Sequence, residues 1–436
     1  MNFNLEVSKS LIVTESVSGS LAEVKEQICF IKDNSDFRTE ITPLTSVHGW
    51  EFNEDGSKFG HESGRFFSLQ GIEYGQLRAP ILVQPEVGIL GFLVAFFDGV
   101  LHVLSQLKIE PGNKNGIQLG PTVQATRSNY SRVHGGSLPK FLEYFLPDRS
   151  SIPIMDRYES EQGWRYFRKR NRNSIMLVSD PPSSGSSHIW MTLGQVKELS
   201  KQPLFLNACA RSVLSLFPKK LNSSSKILQQ SFFTDEEIQT RLIDAKETIS
   251  DQANLVSLLT LDDWKIQEGI FCHKDKEDFR IIGVSVQAKG REVKNWSQPL
   301  LQESNIGEYG LLIGTINGVV HVFWQLRDEP GLWDRIELGP SWILRSSVQE
   351  NYSCNYQAGK EGNLLLAIDL AEEGGRFYHA IFRHKIVWIG ETQFGDLDPS
   401  VVPLTIKQTE TFIQYGQMIT MEGRSLWALV DGDWFE

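Results

Sequence analysis

Four polar side chains recur along one short, aliphatic-rich segment, and their types suit acid–base chemistry. They are His102, Gln106, Lys108 and Glu110. Because the side chains of a strand alternate between its two faces, all four share one face of a predicted strand. An imidazole or a carboxylate can transfer protons, and an amide or an ammonium group can hold an oxyanion. The ordinary alternative is the solvated face of an amphipathic strand.

The same polar row occurs twice in the chain, which favours a pocket wall over a merely solvated face. Residues 299–340 repeat residues 80–121 at a constant offset of 219, so the second row consists of His321, Gln325, Arg327 and Glu329. Both rows run into a Glu-Pro-Gly turn. Functional side chains often lie on such turns when a rigid scaffold supports them.

The repeat predicts an α+β fold of two similar domains, each a mixed sheet with flanking helices. We place the domains at residues 1–222 and 223–436, joined through a Ser- and Lys-rich linker. In each copy two apolar runs flank a turn dipeptide, Asp98-Gly99 or Asn317-Gly318, which predicts a β-hairpin with a type I′ turn. Helices are expected near residues 20–32, 192–216 and 235–251.

Two further segments could recognise a phosphorylated sugar. Residues 119–136 are rich in hydroxyl and amide groups and contain Arg127. Residues 159–173 form the dense basic run of an otherwise acidic chain and could hold a diphosphate through charge-assisted contacts. Composition alone favours a polar loop for the first segment and a solvated charge run for the second.

Composition and motifs argue against several classes of protein. The net charge of −11 disfavours a nucleic-acid binder, and no segment has the length of an apolar membrane span. The 4 cysteines are widely scattered, which disfavours zinc ribbons and CxxC redox sites. There is no dinucleotide fingerprint, P-loop or GxSxG elbow. The start of the chain lacks a signal-peptide pattern, so we expect a cytoplasmic protein with reduced thiols.

The motifs themselves resemble the NDP-hexose 2,3-dehydratase family of deoxysugar biosynthesis. In the first copy the resemblance is carried by residues 84–136, by the basic run and by Thr-Leu-Gly-Gln at residues 192–195. In the second copy it is carried by GREVKNWSQPLL, HVFWQLRDEPG, NYS and EEGGRFYHA. The resemblance extends over nearly the whole chain.

This resemblance implies two Nudix-like domains that arose by duplication and do not use Nudix chemistry. It implies a dTDP-linked 4-keto-6-deoxyhexose as substrate, loss of the C2 hydroxyl as water, and no metal or redox cofactor. The 3,4-diketo product would pass to a partner 3-ketoreductase, and the family suggests a homodimer. The final deoxysugar and its pathway stay open.

On the resemblance, the expected catalytic residues are His102, Gln106, Lys108, Glu110 and Tyr130, with the base and the acid not assigned individually. The expected substrate-binding residues are Thr122, Gln124, Thr126, Arg127, Asn129, Arg165, Lys169, Arg170, Gln195, Arg291, Trp296, Gln298, Gln325, Glu329, Tyr352 and Arg376. Four of these are candidates for the diphosphate, namely Arg127, Arg165, Lys169 and Arg170. No metal ligands are expected.

One departure from the family pattern bears on which copy is active. The second copy has Arg291, Trp296 and Gln298, whereas the aligned stretch of the first copy keeps only Glu73 and Pro80. We still expect the catalytic site in the first copy, whose core motif is the more complete. The departure leaves open a non-catalytic nucleotide-sugar binding protein. A divergent Nudix-type hydrolase would need a divalent metal, and the missing metal-binding motif counts against it.

Overall fold

The computed structural model describes residues 2–127, 138–147, 150–219, 231–275, 279–288, 294–345, 354–392, 395 and 397–435. Within these residues, the α-helices are α1 Phe3–Leu11, α2 Leu21–Asp33, α3 Leu193–Ser200, α4 Ala208–Leu214, α5 Asp235–Thr248, α6 Cys354–Glu361, α7 Ile406–Tyr415 and α8 Met421–Leu429.

The strands of the first repeat are β1 Glu15–Ser16, β2 Gly19–Ser20, β3 Phe37–Thr42, β4 Trp50–Phe52, β5 Phe59–His61, β6 Ser68–Tyr74, β7 Leu77–Val83, β8 Gly88–Phe97, β9 Val100–Ile109, β10 Ile117–Gly120, β11 Val123–Ala125, β12 Ile152–Ser160, β13 Tyr166–Phe167, β14 Arg170–Leu177 and β15 His188–Thr192. Those of the second repeat are β16 Asn254–Val256, β17 Trp264–Gln267, β18 Ile270–His273, β19 Phe279–Ala288, β20 Asn295–Glu303, β21 Gly307–Ile316, β22 Val319–Asp328, β23 Ile336–Gly339, β24 Trp342–Leu344, β25 Asn363–Ala371, β26 Ile381–Glu391 and β27 Val401–Thr405.

Both predicted hairpins are confirmed. Strands β8 and β9 are joined by Asp98 and Gly99, whose φ angles are 49° and 78°. Strands β21 and β22 are joined by Asn317 and Gly318, whose φ angles are 52° and 74°. Positive φ at both central residues defines the type I′ turn, which matches the right-handed twist of the strands.

Each hairpin lies in the middle of a mixed sheet. The strand order is β10-β9-β8-β14-β12 in the first repeat and β23-β22-β21-β26-β25 in the second. Strands β11 and β15 pair with β8 and β9, just as β24 and β27 pair with β21 and β22. In both sheets one central pair is parallel, β8 with β14 and β21 with β26. The sheets therefore match strand by strand, which confirms the duplication.

The two repeats exchange strands in their smaller sheets. Strand β3 of the first repeat pairs with β19 of the second, from Gly283 opposite Thr42 onward. Strand β16 of the second repeat pairs in turn with β6 of the first. Each small sheet is thus completed by the other repeat. The predicted boundary at residues 222/223 lies outside the described residues and stays a prediction.

Helices α4 and α8 pack against each other between the two large sheets. Arg211 on α4 donates from Nε to Ser425 Oγ, and Arg424 on α8 donates from Nε to Ser212 Oγ. Both guanidinium groups also donate to backbone carbonyl groups, so these buried charges have hydrogen-bond partners. Apolar residues of both repeats join in one core at this junction. None of the described helices combines the length and apolarity needed to cross a membrane.

Candidate active site

Two carboxylates meet where the polar row of β9 faces a loop of the second repeat. Lys108 Nζ is 3.2 Å from Glu110 Oε1, which also accepts a 3.0 Å hydrogen bond from Gln124 Nε2. The same amide nitrogen is 3.5 Å from Oε1 of Glu373. Oε2 of Glu373 accepts a 3.0 Å hydrogen bond from the Tyr166 hydroxyl. We call Lys108, Glu110, Gln124, Tyr166 and Glu373 the acid–base cluster.

The Glu-Pro-Gly turn after β9 holds the loop that carries Glu373. The backbone N–H of Gly112 donates to the carbonyl oxygen of Gly374 at 2.7 Å, and its carbonyl accepts from His379 N at 2.9 Å. A Cβ atom at Gly112 would lie 1.7 Å from the carbonyl oxygen of Phe377. Only glycine allows this close approach of two backbones, which explains why the turn repeats in the sequence.

A buried layer of ionisable groups lies behind the acid–base cluster. Asn171 Nδ2 donates to Glu161 Oε1, and Lys169 Nζ donates to the backbone oxygen of Glu86. Burial first, and the nearby carboxylate of Glu373 second, raise the pKa of Glu161 to about 7. Burial lowers the pKa of Lys169 to about 8. Two groups close to the cluster therefore titrate near neutral pH.

Arg376 provides a positive charge beside the acid–base cluster. Its guanidinium group lies 4.1 Å from the ring centroid of Phe67, and Nη2 is 3.3 Å from Gln84 Oε1. Arg376 is half-buried, and within the described residues it forms no ion pair. It is therefore available to an anionic ligand.

Two predicted site residues of the second repeat support the loop that carries Glu373. Gln298 Nε2 donates to the carbonyl oxygen of Gly375 at 2.8 Å, and Trp296 Nε1 donates to Gln298 Oε1 at 2.9 Å. These two residues therefore support the loop between Glu373 and Arg376. Gln106 shares the β9 face with Lys108, and Gln106 and Thr126 are half-buried, whereas Arg127 is exposed.

The equivalent position in the second repeat is sealed from solvent. Glu329, the counterpart of Glu110, is 0% exposed, and Glu422 beside it is 1% exposed. Glu329 Oε2 accepts a 2.8 Å hydrogen bond from Gly163 N, and Arg345 Nη2 donates to Glu422 Oε1 at 2.8 Å. Burial raises the pKa of Glu329 well above its usual value. We call Glu329, Arg345 and Glu422 the sealed cluster.

The arginines of the two sites differ in their partners. Arg165 is the counterpart of Arg376 and stacks in the same way, 4.1 Å from the Phe279 ring centroid. Where Arg376 meets the amide of Gln84, however, Arg165 meets the carboxylate of Glu303, at 3.0 Å and 3.2 Å. This buried, bidentate ion pair neutralises Arg165. Of the two arginines, only Arg376 keeps an uncompensated charge within the described residues.

The acid–base groups of the first site are also replaced in the second. Residues 161–171 align with residues 372–382 at an offset of 211, and both loops make the same backbone contacts to a Glu-Pro-Gly turn. In this alignment Glu373 corresponds to Gln162, Tyr166 to Phe377, Lys169 to Ala380 and Asn171 to Phe382. The first site therefore has proton-transfer groups that the second lacks.

The structure does not bring His102 into the acid–base cluster. His102 and Glu110 lie eight positions apart on one strand, which at ~3.3 Å per residue separates them by about 26 Å. Val17 N donates to His102 Nε2 at 3.2 Å, and Nδ1 lies 2.9 Å from Val100 O. His321 has the corresponding partners in the second repeat. The inference that His102 shares a strand face with Gln106 and Lys108 was correct. Its imidazole, however, binds the backbone at Val17 and not the acid–base cluster.

Three other predicted substrate-binding residues use their polar atoms inside the fold. Thr122 Oγ1 accepts a 2.8 Å hydrogen bond from Leu93 N and donates to a carbonyl of β9. Gln195 closes the capping box of α3 and is 0% exposed. Gln325 Nε2 donates to Ser400 Oγ at 2.9 Å. These contacts position strands and a helix, so we leave the three residues out of the proposed site.

The basic run does not form one anion-binding surface. Arg165 points to the second site and Lys169 to the first, whereas Arg170 lies over the rings of Tyr158 and Trp333 at 5.0 Å and 4.9 Å. Arg165 precedes β13, whereas Lys169 immediately precedes β14 and Arg170 begins it. The loop between the two strands therefore separates charges that are close together in the sequence.

Four predicted residues lie outside the described residues, namely Asn129, Tyr130, Arg291 and Tyr352. Conversely, sequence reasoning missed Glu373, Tyr166, Glu161 and Gln84. The alignment of residues 161–171 with residues 372–382 could have found Glu373 and Tyr166, because it sets them against Gln162 and Phe377, whereas Glu161 aligns with another glutamate, Glu372. Among the described residues, no group of three or more His, Cys, Asp or Glu side chains is arranged to hold a metal ion.

Comparison with known proteins agrees with the two-repeat architecture. The family model described as NDP-hexose 2,3-dehydratase matches residues 21–217 and again residues 235–430. The chain is 32% identical over 445 residues to a dTDP-4-dehydro-6-deoxy-alpha-D-glucopyranose 2,3-dehydratase of Amycolatopsis orientalis, covering 98% of this chain and 93% of the relative.

Two more relatives bear the same name. The relative from Saccharopolyspora spinosa is 33% identical over 462 residues, covering 96% of this chain and 93% of its own. The relative from Streptomyces violaceoruber is 32% identical over 413 residues, covering 90% of this chain and 93% of its own. Matches of this extent in both halves show that the chain belongs to the NDP-hexose 2,3-dehydratase family.

Proposed function

We propose that this protein removes the C2 hydroxyl of dTDP-4-keto-6-deoxyglucose as water and yields the 3,4-diketo-2,6-dideoxy sugar nucleotide. The observation that carries the proposal is the acid–base cluster of the first repeat, in which Lys108, Gln124 and Glu373 are half-buried, whereas the carboxylates at the equivalent described position of the second repeat are sealed from solvent. The names of the three relatives, whose 4-dehydro group is a C4 ketone, support the same substrate.

The chemistry requires a base at C3 and stabilisation at the C4 oxygen. The C4 ketone acidifies the C3 proton, so its removal produces an enolate, and the enolate then expels the C2 hydroxyl. The resulting enol tautomerises to the C3 ketone. A positioned donor at such an oxyanion contributes about 3–4 kcal/mol, and each acid–base group about 10²–10⁴-fold in rate.

The first site offers a side chain for each of these tasks. We assign removal of the C3 proton to Glu110 and stabilisation of the C4 oxygen to Lys108, whose ammonium group lies beside it at 3.2 Å. Gln106 and Gln124 supply amide groups for the sugar hydroxyls. Arg376 supplies the charge for the diphosphate, because its counterpart in the second repeat is already paired.

The remaining expectations belong to the same proposal. We propose a Nudix-like fold for each repeat, a homodimer, and a 3-ketoreductase that consumes the labile product. A cytoplasmic location is supported by the free thiols of Cys29, Cys209 and Cys272. Superposition on solved Nudix proteins, light scattering and a coupled reductase assay would test the first three, and microscopy of a tagged chain the fourth.

The direct test is incubation of the purified, chelator-treated protein with dTDP-4-keto-6-deoxyglucose. The product is trapped by chemical reduction and followed by mass spectrometry. We expect loss of one water without added cofactor. Binding without turnover would instead identify a nucleotide-sugar binding protein, and release of a nucleoside monophosphate that requires added divalent metal would identify a hydrolase.

A further inference from the structure

The geometry points to Glu373, supplied by the second repeat, as the catalytic acid that protonates the departing C2 hydroxyl in the first repeat's site. This inference rests on the proposed dehydratase function and adds a residue from the other half of the chain. It makes the active site a shared one. Neither repeat alone contains both proton-transfer groups.

Glu373 occupies a position suited to substrate contact. It is half-buried, in contrast to Glu110, which is 7% exposed, so Glu373 is the more accessible of the two residues. Gln124 Nε2 lies 3.0 Å from one carboxylate and 3.5 Å from the other. A substrate carbon chain that displaces this amide would therefore have Glu110 and Glu373 beside adjacent carbon atoms.

The backbone around Glu373 fixes the direction of its side chain. Arg376 N and Phe377 N both donate to the Glu373 carbonyl oxygen, at 3.0 Å and 2.9 Å. A Cβ atom at Gly375 would lie 3.2 Å from Glu373 Oε1 and 3.3 Å from Glu110 Oε1. Glycine at position 375 therefore leaves free the space next to both carboxylates, where a ligand can enter.

The second repeat serves as an internal comparison. The position equivalent to Glu373 is Gln162, which is 4% exposed and donates to Glu372 Oε2. The position equivalent to Tyr166, which donates to Glu373, is Phe377. The same loop therefore exists without an acid and without the hydroxyl that orients it. The fold does not need the carboxyl group, which points to a chemical role in the first site.

The proton balance of the reaction closes with two carboxyl groups. Glu110 takes the C3 proton, and the electron pair of that bond forms the enolate. Glu373, in its carboxylic acid form, gives its proton to the C2 hydroxyl as the C2–O bond breaks, and water leaves. Tautomerisation then returns the Glu110 proton to C2, while the O3 proton passes to Glu373. Both groups regain their starting forms, and no co-reactant is consumed.

The test separates proton removal at C3 from loss of the C2 hydroxyl. Glu373→Gln is measured in D2O with dTDP-4-keto-6-deoxyglucose, and the sugar is examined by mass spectrometry and proton NMR. We expect dehydration to fall by about 10²–10⁴-fold, while exchange of the C3 proton for deuterium and dTDP affinity persist. Glu110→Gln should lose the exchange as well.

Each other outcome has a definite meaning. If Glu373→Gln dehydrates at the wild-type rate, Glu373 is not the acid. If it binds dTDP but loses exchange together with dehydration, Glu373 acts at C3 and the assignment is overturned. If the wild-type protein itself does not dehydrate this sugar, the proposed function fails, and this failure is distinct from the other two.

Tyr166→Phe provides a second variant, because the equivalent loop already carries phenylalanine at position 377. This change removes the hydroxyl that orients the Glu373 carboxyl group. Dehydration should therefore slow, while exchange of the C3 proton and KM stay at their wild-type values. Equal losses of exchange and dehydration would indicate a merely structural role and contradict the inference.

Discussion

The two stacked arginines allow a matched test of which repeat binds the nucleotide diphosphate. Arg376→Met removes the guanidinium group that lies over Phe67 and puts an unbranched, uncharged side chain in its place. Hydrogen bonds to charged groups contribute about 1.5–3 kcal/mol, and each 1.4 kcal/mol corresponds to a factor of about ten in Kd. We therefore expect dTDP to bind about 10- to 100-fold more weakly, with little change in thermal stability.

Arg165→Met is the control, and its expected effect is the reverse. The side chains of Arg165 and Glu303 are 9% and 5% exposed, so removal of the arginine leaves a buried carboxylate without its partner, at a cost of about 3–5 kcal/mol. Unfolding entropies of about 2.1 cal/mol/K per residue, applied to 436 residues, convert this cost to a decrease in Tm of roughly 3–5 °C. The affinity for dTDP should stay the same.

Isothermal titration calorimetry measures the dTDP affinity of both variants, and thermal unfolding measures their Tm. Together they show which repeat binds the diphosphate. Adding Glu303→Gln to Arg165→Met should recover part of the lost stability, because the unpaired charge is then absent. Equal losses of dTDP affinity in Arg165→Met and Arg376→Met would refute the reasoning. They would show that the ion pair of the second repeat opens to bind nucleotide.

Three further predictions concern the fold that supports the site. Burial raises the pKa of Glu161 from 4.5 to about 7, so the folded protein keeps a proton that the unfolded chain loses, and stability falls as pH rises through this window. Glu337 and Glu372 contribute in the same direction, so Glu161→Gln should reduce, but not abolish, the dependence of Tm on pH between about 4.5 and 7, and an unchanged slope would contradict the assignment. Gly112→Ala places a Cβ atom 1.7 Å from Phe377 O, so we expect a lower Tm by calorimetry and loss of turnover in the mass-spectrometric assay. Wild-type values of both would show that the backbone of the turn moves without cost to make room for the methyl group. Residues 1–222 and 223–436 produced separately should be unstable alone and should purify together when co-produced, because each completes a sheet of the other; two soluble, cooperatively unfolding halves would disprove this interdependence.

The sequence was informative about the fold wherever local chemistry decides the structure. The turn dipeptides predicted both hairpins because the type I′ turn requires two residues that tolerate positive φ. The helix expected near residues 235–251 is observed as α5, with a capping box at Thr234 and Glu237. The prediction of one helix over residues 192–216 was wrong, because this stretch contains two helices, α3 and α4. Asn207 caps α4 and starts a new helix there.

Long-range features of the site could not be predicted in the same way. Strand alternation correctly placed Lys108 and Glu110 on one face. It does not say how far apart two residues of that face lie, however, and so it also included His102. The exchange of β3 and β16 between repeats depends on pairings more than a hundred residues apart. Glu373 escaped notice because it lies in the other repeat from Glu110. Only the fold brings these two carboxylates together.

The sealed cluster gives the second repeat a structural role beside the site that we propose in the first. Glu329 accepts from Gly163 N, and Gly331 exchanges backbone hydrogen bonds with Gly163 and Arg168. These contacts anchor the loop that delivers Tyr166 to the acid–base cluster. The second repeat supplies Glu373 to that same cluster through the equivalent loop. The two copies of this contact between a turn and a loop therefore differ in their task. The copy in the second repeat anchors the loop that carries Tyr166, and beside the copy in the first repeat the Tyr166 hydroxyl donates to Glu373, to which we assign the role of the acid.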